Sequence, residues 1–115
     1  MNEQEQRIAI AEACGWTVVS DTICNVYPNL STGEPELEPV AEMPDYLNDL
    51  NAMHEAEKVL TEKKLKRYAH EMIGYARRAA GYENHESHYP VPFVLRATAA
   101  QRAEAFLKTL NLWTD

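Results

Sequence analysis

Apolar residues recur at three- and four-residue spacing between Pro44 and Leu60. Tyr46, Leu47, Leu50, Met53, Ala56 and Leu60 fall on one side of a helix, leaving Asn48, Asp49, Asn51 and Glu55 pointing elsewhere. The pattern predicts a helix over 44–60 that buries this stripe and organises the domain. Pro44 sits just before or at its first turn, and Asp45 and Asp49 lie near the positive end of its dipole. A second helical pattern starts at Thr61 and stops at Gly81. Its apolar stripe is Leu65, Tyr68, Ala69, Met72, Ala76 and Ala79, and its other side carries Lys63, Lys64, Lys66, Arg67, Arg77 and Arg78. Because Thr61 follows Leu60 directly, one kinked rod and two helices meeting at a corner fit equally well.

The chain ends carry clearer stop and start signals. Asn2 is placed to cap a first helix, with Glu5 three residues on in the capping-box position and Gly15 where the helix needs a residue of positive φ. Residues 16–26, WTVVSDTICNV, are rich in β-branched side chains and read as one bent strand or as a short hairpin turning at Ser20-Asp21. Tyr27 to Met43 carries three prolines, one glycine and four glutamates, a composition that predicts an acidic Pro-rich loop over about 27–43. Tyr82 to Pro92 is a polar connection, and Phe93 to Leu95 is a short strand candidate. Thr98 and Gln101 form a capping box ahead of Ala99, Ala103, Phe106, Leu107 and Leu110, with Asn111 as the C-terminal left-handed residue and Leu112-Trp113 folding back onto the core.

These elements make an α+β fold: three to four helices packed on a small sheet of two or three short strands, as a single domain over 1–115. A hydrophobic fraction of 45% and a charged fraction of 25% place it among ordinary soluble domains rather than disordered or membrane chains. No apolar run is long enough to span a bilayer and the first residues are glutamate-rich, so cytoplasm is the expectation. A net charge of −7 argues against sequence-independent nucleic-acid binding, which relies on cations displacing counterions, and suits a basic partner or simple solubility. Cys14 and Cys24 have no ligand set around them and read as buried thiols.

Four histidines invite a search for catalysis. His54 and Glu57 share a helix face and are able to reach one ion, and His85 and His88 sit together in the polar connection, but neither pair completes a ligand set. The polar face of Asn48, Asp49, Asn51 and Glu55 offers amides and carboxylates to a ligand edge, or is a solvated face serving the helix dipole. Lys63, Lys64, Lys66, Arg67, Arg77 and Arg78 either cradle a phosphate-bearing ligand, with Lys64, Arg67, Arg77 and Arg78 as its contacts, or pair with Glu34, Glu36, Glu38 and Glu42 within or between subunits, the more economical reading. No glycine-rich phosphate loop or nucleophile elbow is present, so no cofactor is expected and an enzyme is the weaker reading.

Residues 44–58, PDYLNDLNAMHEAEK, and 97–113, ATAAQRAEAFLKTLNLW, together with IAIAEACGW at 8–16, resemble small tailed-bacteriophage proteins of the phage ABA-sandwich domain type. The resemblance implies a short sheet between helices, a phage or prophage origin and expression in the host bacterial cytoplasm. The helical pattern over 61–80 departs from it, standing where that sheet would need strands. The expected function is that of a non-enzymatic phage accessory protein that binds a host protein or a small signalling nucleotide and so counteracts a bacterial defence. The alternatives are a small metal-dependent hydrolase using His54, Glu57 or His85/His88, and a homo-oligomer packing exposed Tyr and Met side chains between subunits.

Overall fold

A computed structural model describes residues 1–80 and 97–115, the side chains of 75–80 excepted. The chain runs α1 (Glu3–Ala13), β1 (Thr17–Val19), β2 (Thr22–Pro28), β3 (Pro35–Glu42), α2 (Leu50–Glu57), α3 (Glu62–Ala80) and α4 (Ala99–Thr109). Among the described residues, four helices and one antiparallel three-stranded sheet of order β1-β2-β3 make the small α+β fold that the patterns predict.

Local hydrogen bonding sets the helix ends. The Asn2 side chain accepts from the Glu5 amide and starts α1. At its other end Gly15, with φ 92, donates to Glu12 and Trp16 donates to Ala11. This paired pattern closes the orphan carbonyls of a helix end and needs a residue that tolerates positive φ. The same pattern recurs after α4, where Asn111 has φ 59, donates to Lys108, and is followed by a Leu112 amide donating to Leu107 at 2.8 Å. Thr98 and Gln101 cap each other's backbone amides at the start of α4. Ser20 and Asp21, with φ of 47 and 63, form the two-residue turn joining β1 to β2, the mirror-image turn whose twist matches antiparallel strands.

The core is built around α4. Ala99, Ala103, Ala105, Phe106, Leu107 and Thr109 are all buried, with the Thr109 hydroxyl satisfied by the Ala105 carbonyl at 2.8 Å. α1, α2 and α3 each pack on α4, and the sheet packs on the helices chiefly through β1 on α1. Phe106, Leu107, Ile10 and Met53 are the largest fully enclosed side chains.

Two expectations are corrected. The helix of 44–60 is shorter, and it is α4 rather than this segment that the others surround. Asp49 is extended at φ −107 and ψ 107 and caps a helix that starts only at Leu50, while Asp45 to Asp49 form a turn. The stripe is still mostly used: Tyr46, Leu47, Met53, Ala56 and Leu60 are buried, whereas Leu50 is 40% exposed. A corner at 58–61 separates α2 from α3, the Lys58, Val59 and Leu60 amides donating three residues back. On α3, Tyr68 and Met72 are buried, but Leu65 and Ala69 are exposed. The second correction concerns the loop of 27–43, most of which is strand. Pro35–Glu42 forms β3 and only residues 29–34 make the connection. Gly81 and the strand candidate at 93–95 lie outside the described residues.

Candidate interaction surface

β2 and β3 form a long hairpin of which only the base touches the core. Every residue of β3 is exposed, and in β2 burial stops at Ile23 and Cys24. The principal extents are 63 × 25 × 25 Å. An isolated two-stranded ribbon gains little from burial, so the arm depends on its own cross-strand pairs. Its tip is held by Asn29: the side chain accepts from the Ser31 and Thr32 amides at 2.8 and 3.3 Å, and the carbonyl from Gly33 at 2.7 Å. Gly33 takes φ 71 to close the loop, and Leu30 at the tip is 97% exposed.

Register sorts the arm into two chemically distinct faces, because paired residues on antiparallel strands share a face and neighbours along a strand alternate. Cys24 pairs with Pro39, Val26 with Leu37 and Pro28 with Pro35, which leaves the distal stretch of one face free of charge, with Glu42 entering it only at the base opposite Thr22. Val26 and Leu37 are 53% and 47% exposed there. The other face carries Asn25 opposite Glu38 and Tyr27 opposite Glu36, and at its base Ile23 enters the core. The Tyr27 hydroxyl donates to Glu36 at 3.0 Å, and Asn29 also donates to that carboxylate. The anion raises the Tyr27 pKa, since ionising the phenol beside it is unfavourable.

The outer edge is poorly suited to adding another strand. Pro35 and Pro39 remove two donors from β3, the device by which edge strands resist pairing. The arm therefore presents its faces rather than this edge. The alternation that made β3 was present in Glu36-Leu37-Glu38-Pro39, with Asn29 and Gly33 as turn signals, and it was masked by the prolines.

The polar residues singled out on the 44–60 segment lie apart from the arm, and most serve the fold. Asn48 donates to both Asp45 oxygens at 3.2 and 3.1 Å, and Arg7 reaches Asp45 at 3.1 Å. The Asn48 bond leads in lowering the Asp45 pKa. Asp49 accepts from the Asn51 and Ala52 amides as helix cap, and Glu55 pairs with Lys58 at 2.8 Å. Asn51 and Glu55 are exposed. Asn48 lines a cleft of about 230 Å³ with Gln6, Gln101 and Trp113. Arg67 lines a second, of about 350 Å³, with Glu71, Lys108, Asn111 and Trp113, and donates to Asn111 at 3.4 Å. Lys108 lies 5.7 Å from the Trp113 ring centre. Trp113 thus borders both clefts. Lys64 is exposed, and the side chains of Arg77 and Arg78 lie outside the described residues.

His54 is exposed, while Glu57 is turned inward and engaged. It accepts from the Tyr68 hydroxyl at 2.7 Å and from Arg102 at 3.3 Å, so the two residues do not converge as ligands. Among the described residues no group of three His, Cys, Asp or Glu is placed to hold a metal, and His85 and His88 lie outside them. Cys14 and Cys24 are free thiols, Cys24 buried and Cys14 half-buried in hydrogen-bond contact with Tyr46. Burial raises the Cys14 pKa, the opposite of what an active thiolate needs. No described helix is long and apolar enough to cross a membrane. Compared with family models, curated proteins and solved structures, the chain finds no match in any of the three.

Proposed function

We propose that the chain is a non-enzymatic binding protein, a phage accessory protein that engages a host protein in the bacterial cytoplasm and thereby blunts a defence, with the β2–β3 hairpin as its contact arm. The observation that carries this reading is the pairing of Val26 with Leu37, both half-exposed, on the distal, charge-free stretch of a face that there stands clear of the core. Proteins hide such faces or use them, and uncharged faces with a polar surround are the usual form of a protein-binding patch. The partner would present an apolar strip to Val26 and Leu37. The resemblance of 44–58 and 97–113 to phage proteins supplies the setting.

Cross-linking of the full chain in bacterial lysate tests it, with a Val26→Ser/Leu37→Ser variant of unchanged circular dichroism beside it. A defined host protein captured by the wild type and lost with the variant is the expected result. Equal capture by both removes the arm from the proposal.

A second reading, a small signalling nucleotide, is favoured by one feature: Trp113 offers a ring for a base beside Arg67, Lys108 and Asn111 in the larger cleft. Trp113 emission during titration with a cyclic dinucleotide separates the two. A saturable change abolished by Arg67→Ala supports the nucleotide, and a flat trace rejects it.

A further inference from the structure

The inner face of the arm carries a second message, independent of the apolar face. From Ile8 through Glu57 the chain contains carboxylates but not one Lys or Arg, and Lys58 to Arg67 then holds five cations. This segregation survives folding. The distal hairpin presents Glu36 and Glu38 on one face with no cation paired to either among the described residues. On α3, Lys63, Lys66 and Arg67 share a face by their three- and four-residue spacing, opposite the buried Tyr68 and Met72. All three are exposed. No ion pair is formed by Lys63 or Lys66 among the described residues, and Arg67 meets the neutral amide of Asn111. Glu62 and Glu71 flank this face without closing on it.

Within one molecule no ion pair joins the two patches among the described residues. The sheet packs on α1, α1 on α4 and α4 on α3, so the acidic arm and the basic helix stand at opposite ends of the packing order. We propose that copies of this chain associate head to tail, the acidic inner face of one arm seating on the Lys63, Lys66 and Arg67 face of the next copy's α3. Any open assembly keeps one acidic arm free at one end and one basic face free at the other, so the contact is heterologous and adds subunits with rising concentration. Exposed charge pairs are screened by salt, and at about 1 M, where the Debye length is about 3 Å, the association dissolves. The partner-binding face of Val26 and Leu37 takes no part.

Sedimentation of the full chain at low salt reads this out. The mean mass rises with concentration above the 13.1 kDa monomer and returns to it in high salt. Glu36→Gln/Glu38→Gln lacks the head and Lys63→Gln/Lys66→Gln lacks the tail, so each alone stays monomeric. Mixed in equal amounts they form a 1:1 pair that grows no further, because the intact head of one meets the intact tail of the other. Circular dichroism verifies that both variants fold. A wild type that stays monomeric at every concentration overturns the proposal. So does association that ignores the α3 variant but vanishes in Val26→Ser/Leu37→Ser, which would mark stacking of the outer apolar faces instead.

Discussion

The Tyr68 hydroxyl donates to Glu57 at 2.7 Å across the corner between α2 and α3, and Arg102 from α4 closes on the same carboxylate oxygen at 3.3 Å. Three helices are thereby tied at one point. The Glu57 and Arg102 side chains are only 20% and 13% exposed, so water replaces a lost partner poorly. Tyr68→Phe is expected to cost about 1 kcal/mol and Glu57→Ala about 2 kcal/mol, since bonds to a charged group are the stronger kind. The pair should also couple: in a double-mutant cycle with Glu57→Gln the interaction energy is expected at about 1 kcal/mol. Urea midpoints at constant slope measure all of this, and additive effects would show that the three groups do not act as a unit.

Asp49, not Pro44, starts α2. Its carboxylate satisfies the Asn51 and Ala52 amides, and replacing such a cap with alanine costs about 1 kcal/mol. Asp49→Ala should therefore lower the thermal midpoint by a few degrees, whereas Pro44→Ala should leave it nearly unchanged. A larger loss at Pro44 would restore the longer helix.

What was legible in the sequence was written in short-range hydrogen bonds. The caps at Asn2 and Thr98, the left-handed Gly15 and Asn111 and the turn at Ser20-Asp21 each depend on residues within a few positions, so residue type alone announces them. The start of α2 was hidden because Tyr46 and Leu47 are buried without being helical, and apolar spacing reports burial before it reports helix. β3 was hidden for the opposite reason. Two prolines and three glutamates in eight residues suit a loop, and they are tolerated in this strand because its outer edge and both its faces meet solvent. The polar face of 48–55 was visible as a surface, but its hydrogen bonds to Asp45, Lys58 and the α2 amides could not be read from spacing.

The arm makes a sharp prediction about where stability resides. Ile23 is 5% exposed in the core cluster, while Leu37, fourteen positions on in the same hairpin, is 47% exposed. Ile23→Ala should cost about 2–4 kcal/mol through lost burial and a cavity. Leu37→Ala should stay within about 0.5 kcal/mol, the range of surface changes, while weakening partner capture. Equal destabilisation by the two would mean that the distal arm is packed in solution.

Alkaline pH should unfold the protein through Tyr46 and Tyr68. Burial pushes the Tyr46 phenol from 10.0 up to about 12, with the neighbouring Cys14 adding to the shift. Burial and then the Glu57 carboxylate raise Tyr68 further. In the unfolded chain both phenols lose their protons near 10.0, and in the folded chain they keep them. The unfolded state therefore binds fewer protons above that pH, and stability falls as pH rises. The contribution of Tyr46 is complete below 10.0 and is lost as pH climbs through about 12. Cys14, raised above 9.0 by burial, acts in the same direction and begins earlier. Urea midpoints across this range should be flat at neutral pH and decline from about pH 9 upward, and Tyr46→Phe, though less stable at neutral pH by about 1 kcal/mol, should show a shallower decline. A wild-type midpoint that holds steady through this window would mean that the phenols titrate as freely in the folded chain as in the unfolded one.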